Sequence, residues 1–265
     1  MLSQPGSASS CAGRTGRPES NFVRVKRVCV FTGASGRLGT DFIKRYRQDY
    51  DIVAVYHSRV PEGISQERWM VDPLDPEADI PENHDAVFAV SADLVSDSEI
   101  RRVAELALAR FGRVDLLVNG AVAFARQPIV GSGRLAGDFD HQFRLNVRAP
   151  LLLSVTLADM FWRSRTSENV KLNRHIVNVA SIGGVRFYPG NGLSVYSASK
   201  AALVQLSRHM ASEFAGFGIR VNVLAPSRFP GLIPTSQVSA CLRELDQGQD
   251  KSRVVLIDGH GRITG

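Results

Sequence analysis

Thr32-Gly-Ala-Ser-Gly-Arg-Leu-Gly39 follows directly on a short apolar run, Val28-Cys-Val-Phe31, and leads into residues 38–48, which read as the start of a helix. An apolar run, a glycine-rich turn and a helix start describe one strand–turn–helix unit. Glycine allows a tight turn and lets a phosphate approach the main chain. The helix that follows presents unbonded amides and the positive end of its dipole. The stretch therefore predicts a seat for a nucleotide pyrophosphate, formed by Gly33, Ser35, Gly36, Arg37, Leu38 and Gly39.

Working outward, the same unit repeats. Further apolar runs lie at Ile52–Tyr56, Ala86–Val90, Val114–Val118, His175–Val179, Arg220–Leu224 and Val254–Ile257. Helical patterns separate them over residues 96–111, 138–163 and 194–216, the second broken near Pro150 and the third ending at Gly216 and Gly218. Ser96 with Glu99 reads as a capping box at the start of the first of these helices. Residues 59–85 hold Pro61, Pro73, Pro76 and Pro81 and read as a long loop, with a short strand near Trp69–Val71. Strands alternating with helices predict an α/β fold, a doubly wound parallel sheet of about seven strands with helices on both faces and right-handed crossovers. Ligands in such sheets bind outside the carboxyl ends of the strands. Residues 23–265 read as one domain, preceded by a disordered tail over 1–22 and carrying a short substrate lid around 226–253, with a short helix over Ser239–Gln247.

Composition narrows the class. Of the 265 residues, 44% are hydrophobic and 22% charged, the balance of a water-soluble globular domain. No run of eighteen apolar residues suggests a membrane span. The net charge of +6 raises the question of an acidic partner. The arginines are spread from Arg14 to Arg262 without a run of five like charges, which argues against nucleic acid. Cys11, Cys29 and Cys241 are odd in number and lack metal-ligand spacing, so a reducing cytoplasmic setting and no metal are expected.

The second strand ends in Tyr56-His-Ser-Arg59. An Asp or Glu at this place binds the ribose hydroxyls of NAD, whereas an arginine suits a 2′-phosphate. No acid stands here, so Ser58 and Arg59 predict NADP(H), with Arg37 nearby on the turn. Asp93, beside Leu94, follows the third strand, where it either bonds an adenine amino group or caps the next helix.

Tyr196-Ser-Ala-Ser-Lys200 places a phenol and an amine at i and i+4, on one face of a helix. An ammonium beside a phenol favours the phenolate and lowers its pKa, so the Tyr gives or takes a proton near neutrality.

The order Thr32–Gly39, Asp93, Asn119-Gly-Ala121, Asn146, Ser181, Tyr196/Lys200, Arg220-Val-Asn222 and Pro226 resembles the short-chain dehydrogenase/reductase family over roughly residues 26–226. Leu256-Ile-Asp-Gly259 looks like its last strand. The resemblance implies a Rossmann-type fold and hydride transfer from nicotinamide to a small carbonyl. By it, Tyr196 protonates the developing alkoxide, Lys200 binds the nicotinamide ribose and lowers the Tyr196 pKa, and Ser181 orients the substrate carbonyl. Asn146 holds a water in a proton relay, and Asn119, Ala121 and Pro226 join the cofactor site. It also implies a homodimer or homotetramer through the long helices. Arg37, Gly120, Val122 and Ser227 depart from the family's usual residues, and the spacing from Ser181 to Tyr196 is slightly long. These departures, with the short lid, keep open an alternative: an NADP(H)-binding sensor or scaffold with impaired catalysis. Arg37 in the glycine turn and Phe124, five residues after Asn119, are similar to the pteridine reductase branch, which implies Phe124 stacking on a pterin-like C=N substrate.

Overall fold

The structure is a computed structural model and describes residues 26–62, 87–131, 133–189 and 192–264. The expected tail over 1–22 and the strand near Trp69–Val71 lie outside the described residues.

The strands are β1 (Arg27–Thr32), β2 (Tyr50–Tyr56), β3 (Val87–Ser91), β4 (Leu116–Asn119), β5 (His175–Val179), β6 (Arg220–Pro226), β7 (Val254–Asp258) and β8 (Gly261–Thr264). They form one eight-stranded sheet in the order β3-β2-β1-β4-β5-β6-β7-β8. All neighbours are parallel except β7 and β8. Seven parallel strands match the sequence expectation. The eighth closes a hairpin in which Asp258 pairs with Gly261 across Gly259-His260, a two-residue loop whose glycine is the local signal for it.

Strand order reverses between β1 and β4. The chain builds outward through β2 and β3 on one side and from β4 to β8 on the other. The connections leaving β1 and β4 therefore diverge and open a crevice above their carboxyl ends.

Both faces of the sheet are covered, which is why the strands read as unbroken apolar runs. Side chains alternate between faces along each strand. Cys29 and Phe31 of β1 pack on one side with Phe42, Leu242 and Leu245, which come from α1 (Arg37–Tyr46) and α7 (Thr235–Gln247). Val30 packs on the other with Ile100, Leu153, Trp162 and Phe214. That face carries α2 (Asp97–Phe111), α4 (Ala149–Leu157) and α6 (Ser194–Phe214).

The helix expected over 138–163 is a chain of turns with two wide segments. α3 (Leu135–Phe143) runs into a π-helical turn over Arg144–Arg148, and α4 into a second over Ala158–Trp162; a short helix, α5 (Thr166–Lys171), follows. Pro150 lacks an N–H for the carbonyl of Asn146 and its ring crowds that carbonyl. The first wide turn lies immediately before it. The capping box at α2 does not form. Ser96 is the N-cap but makes no side-chain cap bond, its hydroxyl pairing with Ser98 at 2.9 Å. Glu99 turns to Arg102 instead.

α7 is longer than the helix expected over Ser239–Gln247. It does not cover a pocket. Its buried face of Val238, Leu242 and Leu245 joins the core beside α1. A polar cluster beneath the amino ends of β1, β5 and β6 pins its far end. Arg27 grips Asp246 through two bonds of 2.9 Å, and the Tyr50 hydroxyl donates to the same carboxylate at 2.8 Å. Arg220 donates to the Asp246 carbonyl at 2.8 Å.

Candidate active site

Two cavities open at the carboxyl ends of the strands. The first, of about 510 Å³, sits at the crossover between β1 and β4. Its walls come from the glycine turn (Gly33, Ser35, Gly36), the end of β2 (Tyr56, His57, Arg59), Asp93 and Leu94 after β3, and Gly120–Val122 after β4.

The turn is shaped by contact as much as by flexibility. Gly33 has φ +74°, and a Cβ there would lie 2.8 Å from the Ala121 main chain. A Cβ on Gly39 would lie 2.5 Å from the Ala34 carbonyl oxygen, so α1 sits directly on the turn. Thr32 ties the two loops together. Its hydroxyl accepts the amides of Gly120 and Ala121 at 3.0 and 3.1 Å and donates to the Val118 carbonyl at 3.3 Å. Sequence reasoning did not assign Thr32 this role. The local signal was a hydroxyl residue at the last position of a strand entering a glycine turn.

The Arg59 guanidinium reaches back over the turn and donates to the Ser35 carbonyl at 2.6 Å. Asp93 faces the crevice and accepts the Val95 amide on one oxygen at 3.0 Å, a local turn bond; it does not cap α2, whose N-cap is Ser96. Ser58 and Arg37 are exposed, and neither lines the crevice. The Leu38 side chain belongs to the core.

Asn119 is a correction. Its side chain is buried and donates to Asn178 Oδ1 at 2.8 Å; Asn178 donates to the Ser207 hydroxyl at 2.8 Å. The two asparagines face each other in the β4–β5 register. Buried amides must find partners, and each is the other's partner. The Asn119 side chain thus bonds sheet to helix, while its neighbours line the crevice.

The second cavity, of about 580 Å³, is lined by Ser181, Tyr196, Phe124 and Pro226 among others. Ser181 follows β5 and caps a single 3-10 turn, accepting the Gly183 amide at 3.2 Å. That turn rests on α6 because Gly184 lacks a side chain: a Cβ there would lie 2.7 Å from the Lys200 main chain. Tyr196 lies in the first turn of α6. Burial raises its pKa, and the neighbouring Ser181 hydroxyl partly opposes that shift.

The expected lowering of the Tyr196 pKa by Lys200 is not present. Lys200 is buried and its Nζ donates to the Val179 carbonyl at 2.8 Å. Burial alone draws its pKa down to about 7. Desolvation of both groups outweighs their proximity on one helix face.

Asn146 is brought to the same region but is differently occupied. Fully buried, its Oδ1 accepts the Ala123 amide at 2.8 Å, and its Nδ2 donates to the Ala123 carbonyl at 2.9 Å and to Ser199 Oγ at 3.0 Å. Both amide protons are used, so the side chain does not donate to a relay water. It clamps the segment that carries Phe124. The Ser199 hydroxyl in turn donates to the Tyr196 carbonyl at 2.7 Å.

Phe124 is exposed and meets Tyr196 edge-on, with ring centroids 4.9 Å apart and planes at 77°. Arg37, the other residue of the pterin-like reading, lines neither cavity. Arg126, Tyr188, Arg228, Phe229 and Leu232 also line the second cavity and were not anticipated. Of the expected lid over 226–253, Pro226, Ser227, Arg228, Phe229 and Leu232 line its wall. No group of three or more His, Cys, Asp or Glu side chains suited to a metal occurs among the described residues.

Known proteins share this sequence pattern and this fold. Residues 27–236 match the family model described as short chain dehydrogenase. A rhamnolipids biosynthesis 3-oxoacyl-[acyl-carrier-protein] reductase from Pseudomonas aeruginosa is 35% identical over 54% of this chain and 53% of its own length, so the chain spans about half of that relative. A 2-(R)-hydroxypropyl-CoM dehydrogenase from Xanthobacter autotrophicus is 27% identical over 87% of this chain and 83% of its own. Among solved structures, the Pseudomonas aeruginosa RhlG/NADP active-site complex superposes with a TM-score of 0.70 at 23% identity, covering 88% of this chain and 95% of the other. With the sheet order, the glycine turn and the Ser181/Tyr196 cavity in place, the match over residues 27–236 settles the family: the chain belongs to the short-chain dehydrogenases, a family of nicotinamide-dependent oxidoreductases.

Proposed function

We propose that the protein is an NADP(H)-dependent reductase of a small carbonyl compound. One observation carries the reading: Ser181 and Tyr196 share a cavity at the ends of β5 and α6, beside a crevice whose glycine turn and Arg59 suit a phosphorylated dinucleotide.

The crevice fits the cofactor on its own terms. The space a Gly33 side chain would fill is already taken by Ala121, so the main chain itself forms the cradle. Gly33, Ser35 and Gly36 would hold the pyrophosphate at the amino end of α1. Arg59, held over Ser35, would meet a 2′-phosphate, and no carboxylate follows β2 to favour the free ribose hydroxyl. Asp93 keeps one carboxylate oxygen for the adenine edge.

When bound, NADPH supplies the hydride that adds to the carbonyl carbon. The protein's residues handle the proton and the orientation. Burial keeps the Tyr196 hydroxyl protonated at neutral pH, the state needed to donate to the substrate oxygen as charge develops there. Ser181 hydrogen-bonds the same oxygen and holds it toward Tyr196. Lys200 holds the base of α6 against the end of β5 and supplies positive charge below its pKa of about 7. The relatives named for 3-oxoacyl and hydroxypropyl substrates also act at a carbonyl or its alcohol. Two further parts of the reading are an assembly of like subunits through the long helices and a cytoplasmic site. No described helix is long and apolar enough to cross a membrane.

The test is NADPH oxidation with a panel of aldehydes, ketones and dihydropterins, run beside Tyr196→Phe. Turnover of at least one carbonyl, lost by 100-fold or more in the variant, is the expected result. NADPH binding without turnover across the panel would favour the scaffold alternative. Efficient dihydropterin reduction that collapses in Phe124→Ala would favour the pterin-like one.

A further inference from the structure

Arg228 lines the cavity beside Tyr196, whose lining residues include no aspartate or glutamate. Elsewhere, arginines are commonly matched to acids: Arg27 to Asp246, Arg102 to Glu99, Arg148 to Asp97. Arg186, four residues from the serine turn, is paired with Asp258 at 3.2 Å. Arg228 makes no side-chain hydrogen bond or ion pair with any described residue.

Arg228 is nevertheless held by its backbone. It opens a tight loop in which its carbonyl accepts the Leu232 amide at 3.0 Å. Gly231, at φ +140°, leaves room for the guanidinium: a Cβ there would lie 3.2 Å from Arg228 Nε. The rest of the wall is largely apolar, with Phe124, Ile182, Leu193, Phe229 and Leu232 lining the cavity that Ser181, Tyr196 and Arg228 share.

A guanidinium without an acidic partner, at an apolar pocket that also holds a proton donor, suits a particular ligand. We infer that the substrate carries an anionic group, a carboxylate, sulfonate or phosphate, joined to its carbonyl by an apolar body, and that Arg228 binds that anion. Arginine's planar fork matches such oxyanions. This inference rests on the carbonyl-reductase reading and narrows its substrate class.

The probes are 4-formylbenzoate, its neutral methyl ester and 4-formylphenyl phosphate, reduced with NADPH by the full chain. The expected result is a kcat/KM for at least one anionic aldehyde about 10- to 100-fold above that of the ester, the scale of a charged hydrogen bond. The advantage lies in KM, shrinks as salt is raised, and collapses toward one in Arg228→Gln. Arg228→Lys retains part of it. The benzoate and phosphate arms tell the two oxyanions apart. Equal use of ester and anions by the native protein, or an unchanged ratio in Arg228→Gln, overturns the inference while leaving the reductase reading intact. If no aldehyde is reduced, the reductase reading is what fails. Calorimetric binding of 4-(hydroxymethyl)benzoate then decides the anion site by itself: tenfold weaker binding to Arg228→Gln upholds it, and equal binding ends it.

Discussion

The Lys200 Nζ donates to the carbonyl of Val179 at 2.8 Å, which ties α6 to the last residue of β5. The bond holds α6 against the strand that leads into Ser181. It also places the amine where water is excluded, and burial brings its pKa to about 7. Lys200 is therefore charged below about pH 7 and loses its charge above it. If that charge supports the phenolate formed as Tyr196 gives up its proton, kcat/KM for reduction should be flat at lower pH and fall as pH rises through about 7. Lys200→Arg, which stays charged, should remove that limb of the profile. Pre-steady-state rates between pH 5.5 and 9 would check it, and a native profile flat across this range would disprove the role.

Arg59 sits over the glycine turn through its bond to the Ser35 carbonyl. Arg59→Ala should weaken NADPH binding by about 10- to 100-fold, as expected for loss of a charge-assisted contact, and leave NADH binding nearly unchanged. Fluorescence titration with both cofactors measures the difference. Equal affinities in the native protein, untouched by the substitution, would refute the NADP(H) preference.

Asn146 acts here as a positioning residue. Its amide satisfies both main-chain groups of Ala123 and the Ser199 hydroxyl, all in the interior. Asn146→Ala strands these partners, and a buried unsatisfied group costs about 1–3 kcal/mol. Thermal unfolding should show a loss of at least that order. The segment carrying Phe124 should loosen as well, raising KM more than it lowers kcat. A pure fall in kcat with normal stability would instead argue for a direct role in proton transfer.

The polar cluster under the amino ends of the strands predicts an acid response. His175 is fully buried and burial holds its pKa near 4, below the usual histidine value, although Asp246 lies close. At 3.7 Å the His175 Nδ1–Asp246 contact is too long for a hydrogen bond, while Nε2 and the Asn222 amide are 2.8 Å apart. The unfolded chain binds a proton that the folded chain refuses, so stability should fall as pH drops from about 6.5 toward 4. His175→Gln should flatten this part of the curve. Asp246 follows a different rule: burial raises its pKa, but His175, Arg27 and Tyr50 together hold it below the usual value. Asp246→Ala leaves Arg27 without its acid and the Tyr50 hydroxyl without its acceptor, and should cost about 3–5 kcal/mol. Both variants lie at the opposite end of the sheet from the site, so calorimetry should change and cofactor affinity of the folded protein should not.

Local chemistry made much of the fold legible. A strand buried on both faces is dominated by apolar residues, so the strand runs at Val28, Ile52 and Val254 announce themselves. A turn that must reach φ +74° against a neighbouring backbone must be glycine, and Gly33 is one. The Tyr196/Lys200 spacing placed both residues in one helix within one turn of each other. Where reading failed, the deciding partner lay far along the chain. Asn119 looked like a cofactor ligand because nothing nearby reveals Asn178, 59 positions away, as its partner. Glu99 is the local exception: it had the spacing of a capping box, but Arg102, three positions on, won the carboxylate.

The amino-acid sequence by itself determined the alternation of strands and helices, the glycine turn after β1 and the placing of Tyr196 and Lys200 on one helix, because each depends on residues within a few positions of one another. Tertiary structure alone decided where the side chains spend their bonding capacity: Lys200 on Val179, Asn146 on Ala123, Asn119 on Asn178. It also decided that Arg228, carried in on the loop after β6, shares a cavity with Ser181 and Tyr196. The reason is physical. Burial and long-range contact set the cost of a charge or an unpaired amide, and neither quantity exists until the chain has closed on itself.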